Sequence, residues 1–372
     1  MDAAGRIGKE ILESADIRVN GERPWDLQVH NERFFGRVLA EGSLALGESY
    51  MDGWWDCEAL DELVNRILSH DLQEKVRPSP KVFLLWLRST LVNLQSRGRA
   101  YNIGRRHYDL GNDLYRLMLD KGMNYSCGYW KNAKSLDDAQ VDKLELICSK
   151  IRLERGMRVL DIGCGWGGFA QHAAERHGAS VVGITVSKEQ ADLAGERCKG
   201  LPVEIRLQDY RDLDESFDRI VSIGMIEHVG VKNYRRYMEI ASRCLHPDGL
   251  FLLHTIGSNL SGHVPDPWSD KYIFPDSMLP SMRQLAAAAE GLFKMEDVHS
   301  FGHYYDPTLL AWNRNFTEGW PRISERYGER FFRMWRFYLL SSAGSFRARH
   351  NQLWQIVLSP RASTLVYESI RD

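Results

Sequence analysis

The sequence has few cysteines, and their spacing suggests no cross-link or metal motif. Six cysteines are spread over 372 residues, and no two of them form a C-x-x-C pair. This pattern excludes a disulfide-dense scaffold and offers no zinc-type spacing. Free thiols are typical of a reducing compartment, so we expect the protein in the cytoplasm.

Long apolar runs and an excess of one charge are also absent. The longest notable apolar run covers residues 82–87, and the first twenty residues contain no apolar stretch of signal-peptide length. Nothing therefore spans a bilayer. The chain carries 48 basic and 50 acidic residues, with 44% hydrophobic and 26% charged residues. This ordinary globular composition excludes extensive disorder and a multi-span membrane protein, and the length allows two domains or three.

One window departs from this balance of charge. Residues 75–106 contain eight basic residues and no acidic residue. Within it, the apolar run at 82–87 includes Trp86 and follows two prolines, which suits the start of a helix. A basic segment around an apolar helix with a tryptophan is typical of attachment to an anionic membrane surface. A core helix followed by a basic linker explains the pattern equally well.

From about residue 150 the pattern becomes an alternation of strands and helices. The strands are predicted over residues 157–161, 180–185, 203–207, 218–224 and 249–255. The helices between them are predicted over residues 169–177, 188–199 and 234–244. Such alternation predicts an α/β fold with a doubly wound, Rossmann-like parallel sheet. Residues 262–280 predict a loop over the site, and helices follow, one of them across residues 330–338.

A glycine-rich turn follows the first of these strands. Gly163, Gly165 and Gly168 satisfy G-x-G-x-x-G, the fingerprint of dinucleotide binding, which allows a tight turn and a close approach to a ligand. A dinucleotide would, however, bring its pyrophosphate close to Asp161. The acid that usually binds the ribose is also missing, because the second strand ends at Thr185.

S-adenosylmethionine fits this turn better than a dinucleotide does. It has no phosphate, and its positively charged ammonium and sulfonium groups suit the carboxylate of Asp161. Asp209 follows the third strand, where it is placed to accept a hydrogen bond from the adenine amino group. The pattern therefore favours a methyltransferase over a nicotinamide enzyme.

Five segments in this order resemble one family. They are the sequences YSCGYW at 125–130, DIGCGWGG at 161–168, GMIEHVG at 224–230, HTIG at 254–257 and KYIFP at 271–275. Together they resemble the cyclopropane-fatty-acyl-phospholipid synthases and, more distantly, the mycolic acid cyclopropane synthases. The resemblance covers about residues 100–365, and Gly128 stands where alanine is usual.

The resemblance implies a two-domain enzyme that uses S-adenosylmethionine to add a methylene group to a cis double bond of a phospholipid acyl chain. Attack by the alkene leaves a carbocation, and removal of a proton by bound bicarbonate closes the ring. The resemblance also implies a homodimer that is peripherally associated with the inner membrane. It divides the chain into a lipid- and membrane-binding domain (1–90), a basic linker (91–106) and a catalytic domain (107–372), the first being smaller and mainly helical.

Motif matching with the family implies two sets of site residues. The bicarbonate ligands would be Cys127, Glu227, His254, the backbone of Ile256, and Tyr305. The cofactor contacts would be Tyr125, Ser126, Gly163, Gly165, Gln190, Asp209 and Tyr210, to which the strand ends add Asp161 and Thr185. From the residues alone, Glu227 or His254 acting directly as the base is the alternative. We interpret His228 as structural.

Two other functions compete with this one. A related lipid methyltransferase would add a methyl branch or a methoxy group instead of closing a ring. The basic window also suggests a nucleic-acid methyltransferase. Against the latter, the sequence has no Asn-Pro-Pro-Tyr type motif, and the basic run interleaves aliphatic residues, not stacking aromatics. We therefore expect a phospholipid bilayer with unsaturated chains as the partner, and no nucleic acid.

Overall fold

The computed structural model describes residues 3–75, 111–262 and 265–371. Residues 76–106 of the basic window, with their predicted helix and linker, lie outside the described residues. None of the described helices is long and apolar enough to cross a membrane. The six cysteines have free thiols, and all of them are buried.

The N-terminal segment is mainly helical. Its helices are α1 (Ala3–Glu13), α2 (Phe34–Glu41), α3 (Ser43–Met51), α4 (Leu60–Ser69) and α5 (Leu72–Lys75). Two short strands, β1 (Gln28–Val29) and β2 (Trp55–Asp56), pair antiparallel between them.

The middle of the chain alternates strands and helices. It contains α6 (Asn112–Met118), α7 (Leu136–Lys150), β3 (Arg158–Ile162), α8 (Gly168–His177), β4 (Ser180–Thr185), α9 (Lys188–Arg197), β5 (Val203–Leu207), β6 (Phe217–Ile223), α10 (Tyr234–Cys244) and β7 (Leu245–Ser258). Each predicted strand and helix of this region is present, and β4, β5 and α10 have the predicted bounds.

The C-terminal part is mostly helical but adds two strands. It contains α11 (Pro267–Tyr272), α12 (Met282–Ala289), β8 (Phe293–Ser300), α13 (Tyr305–Gly319), α14 (Ser324–Tyr327), α15 (Glu329–Arg347) and β9 (Asn351–Pro360). The predicted loop over residues 262–280 is wrong in part, because α11 lies within it. Asp266 begins that helix, and its Oδ1 accepts hydrogen bonds from the backbone N–H groups of Trp268 and Ser269.

The strands form a seven-stranded sheet in the order β5-β4-β3-β6-β7-β9-β8. Neighbours from β5 through β7 are parallel, and the chain reverses its direction of progress between β3 and β6. This order confirms the predicted doubly wound α/β fold. The five predicted strands are parallel to one another, and the sheet has two further strands that the sequence analysis did not predict, β8 and β9, which pair antiparallel.

Helices cover both faces of this sheet. Successive side chains of a strand point to opposite faces, and β3 follows this rule. Leu160 packs in a buried cluster with α10 and α12. Val159 packs in a second cluster with α7 and α8. The strand is therefore buried on both faces, which explains its continuous apolar sequence.

The chain divides into two compact units. The first contains residues 3–75, 265–275 and 305–351 of the described chain, and the second contains residues 111–262, 276–304 and 352–371. Two later stretches thus belong with the N-terminal residues, which a linear division at residue 107 does not include. The predicted boundary itself falls outside the described residues and stays a prediction.

Within the first unit, α15 is held closely against α4. A Cβ on Gly344 would lie 2.3 Å from the carbonyl oxygen of Asp61, so this approach requires glycine. Arg347 lies three residues further along α15 and binds Asp61 at 2.7 Å and Asp306 of α13 at 2.9 Å. One guanidinium therefore connects three helices of this unit.

Candidate active site

The glycine turn lies between β3 and α8 in the second unit. Gly163 has a φ of 84°, in the left-handed region that favours glycine. A Cβ there would also lie 2.6 Å from Cγ of Met225. The N–H groups of Gly163 and Cys164 both donate to the Ile184 carbonyl at 3.0 Å, which ties the turn to β4. The turn leaves space above the carboxyl ends of the parallel strands, where α/β folds bind ligands.

A pocket occupies this space. The predicted cofactor residues all line it: Tyr125, Ser126, Asp161, Gly163, Gly165, Thr185, Gln190, Asp209 and Tyr210. They come from the segment before α7, from the ends of β3, β4 and β5 with the residues that follow these strands, and, for Gln190, from the first turn of α9. The structure therefore brings together residues that are up to 85 positions apart in the chain, from Tyr125 to Tyr210.

A buried acid and a buried base lie at the floor of the pocket. Burial raises the pKa of Asp161 to about 7, against the opposing effect of the Lys143 ammonium. Burial lowers the pKa of Lys143 to about 8, and its Nζ lies 3.1 Å from Ser126 Oγ. Oδ1 of Asp161 has no hydrogen-bond partner among the described residues. A cationic group of a ligand would supply this missing partner, so the acid fits the ammonium of S-adenosylmethionine.

The ends of β4 and β5 present polar groups in defined positions. Thr185 Oγ1 donates to Gln190 Oε1 at 2.9 Å and accepts from the Ser187 N–H at 3.2 Å. Asp209 accepts from the backbone N–H and from the guanidinium of Arg211, each at 2.9 Å. Its carboxylate is thereby held in place, with lone pairs remaining for a ligand donor.

A second buried carboxyl follows β6. Glu227 lies in the short helix Ile226–His228, and its Oε1 accepts the Ile256 N–H at 2.7 Å. Its Oε2 has no hydrogen-bond partner among the described residues. Burial raises the pKa of Glu227 to about 7, although the Ile256 N–H works in the opposite direction. A carboxyl with such a pKa is available as either acid or base near neutral pH.

His254 lies on β7 and is buried next to β6, the strand that precedes Glu227. It pairs in the sheet with Ile223, the last residue of β6. Its Nδ1 lies 3.3 Å from the amide nitrogen of Gln355, and its Nε2 has no partner within the described ranges. Burial holds the pKa of His254 well below its ordinary value, so the imidazole is neutral at pH 7.

The remaining predicted catalytic residues have different surroundings. Cys127 is fully buried, and its Sγ donates to the Gly128 carbonyl at 3.3 Å. The Ile256 N–H, which the family resemblance implies as an anion ligand, already donates to Glu227. Tyr305 belongs to the first unit, where its ring stacks on Phe346 at 4.5 Å. The role of these residues stays a prediction.

Several side chains that line the pocket were not among the predicted site residues, and Lys143 and His228 are two of them. Lys143 lies on α7, four residues after the buried Ala139 and four before the buried Ile147, so its helical spacing places it on the buried face. His228 was interpreted as structural, but it lines the pocket beside Gly224 and Met225. Burial lowers the pKa of His228 to about 4, so it is neutral in this environment. Its position beside Glu227 in the GMIEHVG segment was the available signal.

The sheet order, the glycine turn and the buried acid at the end of β3 define an S-adenosylmethionine-dependent methyltransferase with a Rossmann-like fold. A family model described as mycolic acid cyclopropane synthetase matches residues 95–356. The chain belongs to this family of methyltransferases, which confirms the resemblance inferred from the five segments.

Individual relatives agree with this assignment. The cyclopropane-fatty-acyl-phospholipid synthase of Escherichia coli (strain K12) is 54% identical over 354 residues, which cover 95% of this chain and 93% of that protein. The cyclopropane synthase MmaA2 from Mycobacterium tuberculosis is 29% identical, with a TM-score of 0.65 over 69% of this chain and 97% of that chain. The mycolic acid cyclopropane synthase CmaA1, solved with SAH and CTAB, is 31% identical with a TM-score of 0.65 and the same coverage.

Proposed function

We propose that the enzyme converts cis-unsaturated acyl chains of membrane phospholipids into cyclopropane fatty acids. The observation that carries the proposal is the 54% identity to a protein of that name, which extends over 95% of this chain. The pocket adds support, because its buried acid at Asp161 suits a cationic methyl donor.

For this reaction the protein must bind the methyl donor, exclude water and provide a base. When bound, S-adenosylmethionine supplies an activated methyl group, which an alkene carbon attacks to leave a positive charge on the neighbouring carbon. Asp161 and the residues around it hold the donor. Buried side chains keep out water, which would otherwise trap the cation as an alcohol. A base then removes one proton from the transferred carbon, so that its electrons close the ring and the net gain is CH₂.

We assign the proton removal to a bicarbonate ion held by the Glu227 and His254 cluster. Both side chains present a buried polar atom, Oε2 and Nε2 respectively, without a partner among the described residues. A small anion with its own donor and acceptor atoms suits such a pair. The Ile256 N–H would be shared between Glu227 and the anion. Glu227 acting as the base without bicarbonate is the alternative, and depletion of bicarbonate distinguishes the two.

The product experiment tests the proposal as a whole. Vesicles of a cis-monounsaturated phospholipid are incubated with the enzyme and S-adenosylmethionine, and the lipid is measured by mass spectrometry. We expect a gain of one CH₂ and loss of the chain's reactivity as an alkene. A methyl-branched product would indicate the other lipid methyltransferase, and no product would overturn the choice of acceptor.

Membrane attachment through the basic window is a further part of the proposal. Each basic residue near an anionic surface contributes about 1 kcal/mol to binding, and dissolved salt screens this attraction. Replacing Arg97, Arg99, Arg105 and Arg106 by glutamine is therefore expected to weaken binding to anionic vesicles at least about tenfold. Co-sedimentation with vesicles measures this, and the loss is expected to be larger at low salt.

A matched variant controls for the change in net charge. It replaces four exposed basic residues that lie outside both the predicted membrane-binding domain and the window, namely Lys134, Lys188, Lys199 and Arg361. This variant is expected to bind vesicles nearly as well as the unaltered protein. Equal losses in the two variants would contradict attachment through the window. Inner-membrane association and a homodimer stay predictions, and sedimentation of the full chain measures the latter.

A further inference from the structure

Two helices of the second unit bring metal-ligating side chains together. Cys148 lies on α7, and His172 and His177 lie on α8. The ligand atoms of these three residues all lie within 4.8 Å of one another. None of the three lines the cofactor pocket. The cluster is therefore separate from the groups to which the methyl-transfer chemistry has been assigned.

A fourth donor completes the group. Glu145 lies three residues before Cys148 on α7, which places both side chains on one face of the helix. Its Oε1 lies 2.9 Å from His172 Nε2, and its Oε2 lies 3.0 Å from His177 Nε2. The carboxylate thus reaches both imidazoles at once.

The contact between Glu145 and His172 is short, but it does not have the geometry of a hydrogen bond. His172 is only 9% exposed, and its Nε2 has no hydrogen bond of acceptable geometry among the described residues, despite the short distance to Glu145. The Cys148 side chain is also buried, whereas the Glu145 side chain is 43% exposed. A buried nitrogen aimed into a set of ligand atoms, with one side open to solvent, is what a bound cation would satisfy.

We propose that Cys148, His172, His177 and Glu145 form a binding site for a zinc ion. One thiolate, two imidazoles and one carboxylate are ligands that zinc accepts in tetrahedral geometry. At bond lengths of about 2.0–2.3 Å, such ligands lie roughly 3.3–3.8 Å apart. Side-chain movements of about an ångström would therefore close the set around the metal.

The charges of the site balance in the bound form. Binding exchanges the thiol proton of Cys148 for the metal and releases that proton to solvent. The thiolate and the carboxylate then neutralise the two positive charges of the ion. The C-x-x-C spacing that usually reveals zinc is absent, because the ligands are contributed by two helices that are separate in the chain.

The zinc ion would crosslink α7 and α8, because its ligands lie on both helices. Helix α7 carries Lys143 at the floor of the cofactor pocket, and α8 begins at Gly168 in the glycine turn. The ion touches neither cofactor nor substrate, so its role is structural. A ligand that binds the folded state alone raises the free energy of unfolding. We therefore expect zinc to stabilise the unit that holds the cofactor.

Cobalt binding tests the site without any measurement of activity. The full-length protein is stripped of metal with a chelator and titrated with Co²⁺ while its absorption spectrum is recorded. We expect one equivalent to bind, with the visible bands of tetrahedral Co²⁺ and a near-ultraviolet charge-transfer band from the thiolate. Zn²⁺ is expected to displace the cobalt and to raise the midpoint of thermal unfolding.

Three variants make the assignment specific. Cys148→Ser is expected to abolish the charge-transfer band, and His177→Gln is expected to weaken cobalt binding at least about tenfold. Cys244→Ser, which removes a buried thiol on α10, is the control and is expected to bind cobalt normally. If Cys148→Ser does not fold, His177→Gln still tests the site. The His177 side chain is 24% exposed, so its replacement is expected to leave the fold intact. Failure to bind one equivalent, or a charge-transfer band that survives in Cys148→Ser, would overturn the proposal.

Discussion

The Glu227→Gln variant is expected to form product about 10²- to 10⁴-fold more slowly, the usual range for loss of a group that takes part in proton transfer. Glutamine has nearly the same shape, and its amide oxygen can still accept the Ile256 N–H that Glu227 accepts at 2.7 Å. What disappears is the ionisable oxygen that faces the site. Because Glu227 does not line the cofactor pocket, the Kd for S-adenosylmethionine is expected to stay within about twofold.

The pH profile gives this prediction a second readout. Burial raises the pKa of Glu227 to about 7, so turnover by the unaltered enzyme is expected to rise as pH increases through that value. When both enzymes are saturated with S-adenosylmethionine, so that the titration of Asp161 does not affect the rate, the variant is expected to lose this rise. Glu196→Gln, on the exposed side of α9, is the control and is expected to keep both rate and profile. Turnover close to normal in Glu227→Gln would remove this residue from the proton transfer, whether or not bicarbonate takes part.

The central part of the sheet could be predicted because its signals are local. Strands β3, β4 and β7 contain apolar runs, β5 alternates polar and apolar residues, and an α-helix separates β3 from β4, β4 from β5 and β6 from β7. Each of the five strands pairs in parallel with another strand of the same segment. A single segment of the sequence therefore contains both each strand and the strands that pair with it. The same locality explains why the bounds of α10 were predicted, since its apolar positions recur with the helical period along a single face.

The antiparallel edge could not be derived in the same way. Strands β8 and β9 pair with each other across an insertion of three helices, and residues 305–350 of this insertion belong to the other unit. No pattern within a short stretch of sequence can predict that β8 pairs with a strand so far along the chain. Strand β9 does carry a signal in its sequence, since residues 353–358 are apolar except for Gln355, and such a composition is typical of an interior strand.

The residues of the candidate site likewise fall into those that local sequence predicts and those that only the packing of distant segments places there. Strand ends predict where Asp161, Thr185 and Asp209 lie, because the carboxyl ends of parallel strands share one edge. Lys143 approaches the same pocket from a helix that precedes the sheet, and only packing brings it there. Its burial also has a cost that the surrounding polar groups must offset. The helical spacing of Lys143 with Ala139 and Ile147 places it on the apolar face of α7, but the sequence does not show which pocket that face approaches.

The second large effect is expected at the floor of the cofactor pocket. Replacing Asp161 by asparagine removes the charge that faces the cofactor ammonium while keeping the size of the side chain. A hydrogen bond to a charged group contributes about 1.5–3 kcal/mol, and about 1.4 kcal/mol corresponds to a tenfold change in affinity. The Kd for S-adenosylmethionine is therefore expected to rise about 10- to 100-fold, as measured by titration calorimetry.

The dependence of cofactor binding on pH identifies the cause of this loss. The pKa of Asp161 in the free protein is raised to about 7 by burial. Below that pH the cofactor must displace a proton, so the Kd is expected to rise as pH falls, by at most about tenfold per unit, and to level off above pH 7. Lys143, with its pKa lowered only to about 8, stays mostly charged over the same range.

Asp161→Asn is expected to bind the cofactor weakly and with a flat profile between about pH 5.5 and 7.5, because the titrating group is gone. Asp192→Asn, on the exposed side of α9, supplies the control and is expected to keep the profile of the unaltered enzyme. If Asp161→Asn kept the same slope, another group would be the one that titrates. If its affinity were unchanged, the ammonium of the cofactor would have to be held elsewhere, and the electrostatic argument that favoured S-adenosylmethionine over a dinucleotide would lose its basis in this residue.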